Sequence, residues 1–190
     1  MEYTLDDKYR LIKEEVLKSN SKNPIEIAKS IMYKNFINIH GPEHHFLDGA
    51  SFLIAFKNCG GDIDIELALN ELANRTIKMP GAMCGHWGVC GSVTSVGAAL
   101  SIINDTGPLT LNDYYKDNME FTSFVINKMS IIGGPRCCKR NAFISLSYAV
   151  EFIEKKYGIK LDINDISCSF SSMNKQCIGN ECPYYKGNKL

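Results

Sequence analysis

The chain has 190 residues, of which 45% are hydrophobic and 22% are charged, and its basic and acidic residues balance at 21 each. This composition is typical of a globular protein and excludes a disordered chain. A chain of this length can bury a sizeable core, so it needs neither disulfides nor a metal merely to fold. The charge balance argues against nucleic acid as a partner, because nucleic-acid binders usually carry a basic excess.

Hydrophobic periodicity predicts helices along most of the chain, separated by breaks at glycine and proline. The predicted helices cover, in chain order, residues 5–18, a segment beginning at Asn23-Pro24, then 43–58, 64–77, 83–103, about 110–132, and 137–157. The fifth of these is unusual because it is rich in glycine. A helix of that composition is stable only when it packs very closely against neighbours or a ligand.

The last segment, residues 159–190, shows no helical period and is polar and cysteine-bearing. We call it the tail. The strand signal is thin everywhere. We therefore predict an all-α protein, a compact bundle of about seven helices with an irregular tail, in a single domain over 1–190 that begins with N-terminal helices over 1–35.

A cytoplasmic location is expected. The first residues are acidic and polar, where a secretion signal would be basic and then apolar. The longest apolar stretch, residues 93–103, is about half of the ~20 residues that span a bilayer, so no membrane association is expected. Because thiols stay reduced in the cytoplasm, the eight cysteines indicate metal binding or catalysis rather than disulfides.

The tail carries the strongest chemical signal, in Cys168, Cys177 and Cys182, with a proline after the last. Closely spaced thiolates on a flexible segment can wrap a soft cation, and a Cys-Pro ending is typical of many cluster-binding runs. Either Cys137 or Cys138 is the candidate for a fourth ligand. Zinc and an iron–sulfur cluster both accept four thiolates, so the metal stays open. The alternative is that the three cysteines are small buried hydrophobes.

A second group, Cys84 and Cys90, lies in the glycine-rich segment. On one helix the two would be about 120° out of alignment, so either the glycines break the helix or the thiols serve different neighbours. Glycines let backbone N–H groups approach a cluster's sulfurs, and Trp87 could wall the site from water. The alternative is a tight helix crossing with incidental cysteines. Cys59, ahead of two glycines, is interpreted as structural.

Cys137 and Cys138 begin the last predicted helix, after a glycine–proline turn, and are flanked by Arg136, Lys139 and Arg140. A helix N-terminus with three cations lowers a thiol pKa. It equally favours an anionic cluster or a small anionic substrate, so the three cations are predicted to bind substrate. The alternative is a solvated basic face.

Three histidines lie between residues 40 and 45, and a fourth lies between the glycine-rich cysteines. Since histidine titrates near neutral pH, we expect Glu43, His44, His45 and His86 to transfer protons in catalysis. His44 and Asp48 are four residues apart on one helical face, a spacing that suits ligation or a carboxylate that orients the imidazole. The alternative is a set of capping and surface histidines.

Four strings, GPEHHFLDGA, MPGAMCGHWGVCGS, GGPRCCKRNAF and CSFSSMNKQCIGNECPYY, together resemble a cysteine-rich domain-of-unknown-function family of anaerobic bacteria and archaea. Its members occur alone or joined to methyltransferase-like domains, and the resemblance covers about residues 36–185. It implies no activity. The positions here that match its motifs are Glu43, His44, His45, Cys84, Cys90, Cys137, Cys138, Cys168, Cys177 and Cys182. The glycine- and cysteine-rich helix is also similar to that of redox-active helical proteins, which favours iron–sulfur over zinc.

The leading hypothesis is an iron–sulfur protein of an anaerobe, carrying a 4Fe-4S cluster and acting in electron transfer or in redox or sulfur chemistry. Its partner would be a small anionic substrate or a redox protein. The predicted metal ligands are Cys84, Cys90, Cys137, Cys138, Cys168, Cys177 and Cys182. The second hypothesis is a zinc-stabilised helical module that serves a partner such as a methyltransferase. The third, a dithiol oxidoreductase using Cys137 and Cys138, is disfavoured because adjacent cysteines form a strained ring and no CxxC motif in a βαβ setting is present.

Overall fold

The computed structural model describes residues 3–188, and within them the chain forms eight α-helices, three short 3-10 helices and no β-strand. The helices are α1 (Leu5–Leu17), α2 (Pro24–Met32), α3 (His44–Asn58), α4 (Ile65–Thr76), α5 (Met83–His86), α6 (Gly91–Ile103), α7 (Asp113–Ile132) and α8 (Cys138–Tyr157). The all-α prediction is confirmed. In this described part of the chain, no helix combines the length and hydrophobicity needed to cross a membrane.

Local sequence signals set most helix ends. Thr4 opens α1 with a reciprocal capping box, and Asn23 caps α2 just ahead of its first-turn proline. The side chains of Asp64 and Asn112 accept from backbone N–H groups in the first turns of α4 and α7. Gly158 ends α8 in the left-handed conformation that glycine adopts without cost. These caps explain why the predicted bounds lie close to the observed ones.

The predicted fifth helix, 83–103, is wrong as a single element. The structure divides it into the four-residue α5 and the longer α6. The chain breaks between them at Gly88, whose φ of +68° is left-handed and incompatible with a continuing right-handed helix. Residues 3–188 therefore form eight α-helices rather than about seven, and the two glycine-rich cysteines lie on different elements.

Helix α3 forms the centre of the molecule, because every residue from His44 to Phe56 is buried. It packs against α1, α2, α4, α6 and α8. Its closest approach is to α6, where a Cβ added at Gly49 would lie 2.8 Å from the backbone oxygen of Ser95. The N–H of Gly49 donates to Ser95 Oγ at 2.9 Å. A helix that is buried on all sides is a core element, and this one fixes the positions of the residues at its N-terminal end.

The tail follows an irregular path over α2 and α8. Phe170 is buried, with its ring centroid 4.8 Å from that of Tyr33. The ring of Tyr184 packs edge-on against Phe143 of α8 at 5.5 Å. Cys168 N–H donates to the Tyr184 carbonyl at 2.7 Å, which joins the two ends of the cysteine-bearing stretch. The tail is thus anchored by aromatic side chains on both sides of its cysteines.

Candidate functional site

The adjacent cysteines at the start of α8 differ in the thiols that surround them. Cys137, the residue that caps α8, borders two cavities, and its thiol interacts with those of Cys168 and Cys182 in the smaller one. Cys138, the first residue of α8, lines a larger cavity with the two cysteines of the glycine-rich segment. Consecutive residues at a helix start point in different directions, so neighbours can serve separate sites. We name the two sets the tail group (Cys137, Cys168, Cys177, Cys182) and the inner group (Cys84, Cys90, Cys138).

The tail group surrounds a cavity of about 20 Å³. That is room for about one water-sized occupant. Each sulfur accepts a hydrogen bond from a backbone N–H two or three residues later in the chain. Three of these bonds are 3.4 Å long, from Arg140 to Cys137, Phe170 to Cys168 and Gly179 to Cys177. Tyr184 donates to Cys182 in the same way. Such donors stabilise a thiolate more than a thiol. Burial acts in the opposite direction and raises the thiol pKa of Cys168 and Cys182.

The inner group lines a cavity of about 140 Å³. The other titratable residues that line it are His44, His45, Asp48, Arg136 and Cys137 of the tail group. Asn141 donates its side-chain N–H to Cys90 Sγ at 3.2 Å. Burial raises the pKa of the Cys90 thiol and raises that of Cys138 to about 12. The expectation that the helix start and its cations lower the pKa of Cys138 is therefore wrong, because desolvation is the larger effect.

Neither group has the geometry of a single-ion site as it stands. Within residues 3–188, no three His, Cys, Asp or Glu side chains are close enough together to hold one metal ion. Thiolates around one tetrahedral zinc would have their sulfurs only about 3.8 Å apart, given a Zn–S bond of about 2.3 Å.

An open groove of about 650 Å³ leads to the inner group, and Cys84 and Cys90 line both the groove and the inner cavity. Exposed Arg136 also lines both, and exposed His86 lines the groove. Trp87 is 65% exposed, so the expectation that it walls the cysteines from water is wrong. Small molecules in solvent can reach the inner group through this groove.

Lys139, predicted to bind substrate, is instead a core residue with 1% exposure. Its ammonium donates to the Asn38 carbonyl at 2.8 Å and to His44 Nε2 at 2.9 Å. It also lies 5.4 Å from the ring centroid of Phe170. Burial lowers the pKa of Lys139 to about 8. In the described part of the chain, no carboxylate lies within 4 Å of this ammonium.

Arg140 is buried as well, at 4% exposure, and its guanidinium donates to the carbonyls of Gly133 and Pro135. It borders both the tail cavity and the outer groove, and its charge offsets part of the rise that burial causes in the pKa of the Cys182 thiol. The three predicted substrate-binding cations are therefore not one surface: only Arg136 is exposed. Lys139 and Arg140 are buried, so the alternative of a solvated basic face is wrong for these two cations.

Glu43 lies apart from the inner cavity although it directly precedes α3. Its carboxylate is fully buried, accepts the Asn38 N–H at 2.8 Å and pairs with Lys8 at 3.4 Å. These contacts join the start of α3 to α1. Glu43 thus contributes to packing around the site, whereas its neighbours His44 and His45 line the cavity.

Asp48 is the buried carboxylate of the inner cavity. It has no exposed surface, and neither of its oxygens has a hydrogen-bond partner within residues 3–188. His44 Nδ1 is 4.0 Å from Asp48 Oδ1. Because His44 Nε2 accepts from Lys139, the imidazole proton is on Nδ1, facing the carboxylate. Burial raises the pKa of Asp48 to about 7 and lowers that of His44 well below its usual value. The sequence pattern indicated Asp48 only as a partner of His44, although an aspartate inside an apolar helix is itself typical of a functional residue.

Comparison with known families gives one match. The family described as "Family of unknown function (DUF5714)" matches residues 12–185, which is most of the chain. No curated protein and no solved structure matches. The match spans all eight cysteines and the whole of both cavities, and it confirms the expected resemblance to a family of unknown function. The chain therefore belongs to DUF5714, a family of unknown function.

Proposed function

We propose that the protein is an iron–sulfur protein that also holds a single structural metal ion, each centre bound by one of the two cysteine groups. The observation that carries this proposal is that Cys138 lines only the larger cavity, whereas the thiol of the adjacent Cys137, which borders both cavities, interacts with the cysteines of the smaller one. The open centre transfers electrons or performs redox chemistry on a small anionic molecule, and the closed centre fixes the tail.

The inner group suits a cluster. Its thiols line a cavity several times larger than that of the tail group. Cluster ligands stand farther apart than the ligands of one ion, because several iron and sulfide atoms lie between them. The Asn141 N–H on Cys90 Sγ is the kind of hydrogen bond that tunes a cluster's potential. When bound, the cluster would supply one-electron transfer.

The tail group suits one ion. Four thiolates on a divalent ion carry a net charge of −2, and such a charge needs nearby cations in a low-dielectric interior. Lys139 and Arg140 are buried at the edge of this cavity, and their hydrogen-bond partners are neutral groups. Two buried cations beside four thiols match the charge of a tetrathiolate centre. The tail must close slightly around the ion, since the sulfurs are not yet at ligand distance.

The protein's own residues would then divide the work around the inner centre. Exposed Arg136, at the rim shared by the groove and the inner cavity, would bind the anionic group of a substrate. His86 would exchange protons with solvent, and His44 and His45 would hold protons inside the cavity. An anaerobic host, as the motif resemblance suggests, would keep such a solvent-accessible cluster from oxidation.

Metal analysis of anaerobically purified protein tests the proposal. We expect the wild-type protein to contain iron, sulfide and one further metal ion, with broad visible absorption. Cys138→Ser should lose iron and sulfide and keep the single ion, whereas Cys137→Ser should do the reverse. Cys59→Ser, at the end of α3 and outside both groups, is the matched control and should keep both centres. A colourless wild-type protein that contains only zinc would contradict the cluster.

A zinc-stabilised binding module is the second candidate, and the single-ion size of the tail cavity favours it. The partner would be a methyltransferase or a similar protein, as the joined domains of the resembling family suggest. This function predicts that Cys168→Ser loosens the tail while Cys84→Ser leaves both metal content and stability unchanged. Loss of iron from Cys84→Ser would favour the iron–sulfur protein over the zinc-stabilised module.

A further inference from the structure

Asp48 is the one residue of the inner cavity whose chemistry the proposed function leaves unexplained. Its side chain is fully buried, and neither oxygen has a hydrogen-bond partner in the described residues. Native proteins rarely keep a buried carboxylate without a hydrogen-bond partner unless it has a role. The Ser92 hydroxyl lies near enough to lower the pKa of Asp48, but it donates to Ser145 Oγ at 3.0 Å.

The position of Asp48 relative to the thiols suggests that role. It lines the same cavity as the three inner-group cysteines. Three thiolates leave one iron of a four-iron cluster without a protein ligand, because such clusters usually take four. A carboxylate oxygen is an accepted ligand of iron in proteins. Cys137 also borders this cavity, but its thiol interacts with those of Cys168 and Cys182 in the tail, which leaves three soft donors and one hard donor here.

The two histidines of the cavity are less suited to be that ligand. His44 Nε2 is held by Lys139, and its Nδ1 faces the Asp48 carboxylate. The ring of His45 is packed against α6, where a Cβ at Gly91 would lie only 2.2 Å from it. His44 is therefore placed to orient the carboxylate, as the partners of metal ligands commonly do.

We infer that Asp48 is the non-cysteine ligand of the cluster held by Cys84, Cys90 and Cys138. This inference rests on the proposed function and specifies its reactive position. A carboxylate binds iron less tightly than a thiolate does. The iron at Asp48 is therefore where a small molecule entering from the outer groove can bind.

The test compares wild-type protein with Asp48→Cys and Asp48→Asn, all purified anaerobically, by iron content, electron paramagnetic resonance and reduction potential. Asp48→Cys should keep a full complement of iron with a changed resonance spectrum and a more negative potential, because a thiolate donates more electron density than a carboxylate. Asp48→Asn should lose about one iron per cluster. Gly81→Ala, which borders the same cavity and brings its new Cβ within 4 Å of no heavy atom, should match the wild type.

Unchanged spectra and potentials in both Asp48 variants would overturn the inference and leave the proposed function intact. Should either variant fail to fold, exogenous thiol added to the wild-type protein gives an independent readout. It should perturb the resonance spectrum by replacing the carboxylate, and an unperturbed spectrum would also overturn the inference. A wild-type protein without iron would instead remove the proposed function itself, and the ligand assignment with it.

Discussion

Lys139 places a positive charge in the interior beside both cysteine groups. Its ammonium contacts a backbone carbonyl, an imidazole nitrogen and an aromatic ring, all of which are neutral. These contacts reduce the desolvation cost of the charge and do not remove it. A thiolate centre in the tail group would supply the missing negative charge. The effect of Lys139 on the stability of the fold should therefore depend on whether metal is bound.

Replacing Lys139 with methionine should have opposite effects on two measurements. In chelator-treated protein, we expect the free energy of unfolding to rise by roughly 1–3 kcal/mol, because a desolvated charge is replaced by an apolar chain. His44 can then donate from Nε2 to the Asn38 carbonyl 3.2 Å away, so that carbonyl keeps a partner. In metal-loaded protein, we expect the affinity for the tail metal to fall roughly 10–100-fold, which is the usual effect of replacing a residue that supports the metal ligands.

Urea unfolding with and without chelator, together with competition by a chromogenic chelator, measures both effects. Lys29→Met is the matched control, because half-buried Lys29 donates to the Ser167 carbonyl of the tail at 2.9 Å but does not border the tail cavity. It should leave metal affinity unchanged. Equal shifts of affinity in the two variants would show that Lys139 is not a counter-ion.

Asp48 should make the stability of chelator-treated protein pH-dependent. Burial raises its pKa to about 7, above an ordinary value of about 3.9, so the folded protein retains a proton that the unfolded chain releases. The stability from this group is fully present below about pH 4 and is lost as pH rises through about 7. As the pH rises from 4 to 8, the free energy of unfolding of Asp48→Asn should therefore increase relative to that of the wild type by roughly 2–4 kcal/mol.

Urea unfolding at several pH values under reducing conditions checks this expectation. His44 and Lys139 also face Asp48, so the difference between wild type and variant, rather than either curve alone, isolates the aspartate. Exposed Asp62→Asn provides the control and should parallel the wild type. Parallel curves for Asp48→Asn would show that the carboxyl is not protonated in the folded protein.

At this scale, the sequence predicted which residue types form the site better than it predicted their surroundings. Cysteine spacing predicted a metal site at the tail trio with one further cysteine, but it could not choose between Cys137 and Cys138. That choice depends on how the tail crosses the start of α8, which no local pattern encodes. Lys139 was predicted to bind substrate because it lies at a helix start that favours an anion. Its ammonium instead donates to the carbonyl of Asn38, a residue 101 positions away in sequence.

Among the elements, the crossing of α3 and α6 determines the shape of the inner cavity. Their backbones approach closely because Gly49 has no side chain, and Ser95 lies against it. Asp48 is the neighbouring residue on α3, and Cys90 caps α6. A change in the spacing of these two helices would therefore move the carboxylate relative to the thiols. The packing of the core and the geometry of the site are coupled here.

Gly49→Ala should weaken the fold. The added methyl would lie 2.6 Å from Ser95 Oγ and 2.8 Å from its backbone oxygen, and the backbone cannot move away easily. We expect a loss of about 1–3 kcal/mol in the free energy of unfolding, the usual cost of overpacking. Gly85→Ala, in α5 with no heavy atom within 4 Å of the new Cβ, should be neutral or slightly stabilising. Equal urea midpoints for the two variants would contradict this packing argument.

Helix existence was predictable because capping residues and hydrophobic period agree, as at Thr4, Asn23 and Gly158. The division between α5 and α6 was left open, because glycine both tolerates close packing and permits a left-handed turn. The structure uses both properties within one segment: Gly88 breaks the helix, and Gly91 makes room for the His45 ring. Composition identifies such a segment, and only tertiary contacts assign each glycine its role.

On the scale of the whole molecule, aromatic packing joins the tail to the helical body. Phe170 and Tyr184 pack against α2 and α8 and should hold the tail loosely in place whether or not metal is present. A metal bound by the four thiols of the tail group would add a second connection, between the start of α8 and three points of an irregular segment. Aromatic anchoring brings the cysteines together, and metal would then fix their positions.

Hydrogen exchange of the metal-loaded and chelator-treated protein should separate these two contributions. We expect amides between residues 168 and 185 to exchange at least about tenfold faster after chelation, because local opening there no longer has to break metal–thiolate bonds. Amides of α3 and α6 should keep their protection, since the core does not depend on the tail metal. Cys177→Ser should exchange like chelated protein even when metal is supplied, whereas Cys59→Ser should behave like wild type. Identical tail exchange with and without metal would mean that aromatic packing alone holds the tail, and the tail group would then have no structural metal to bind.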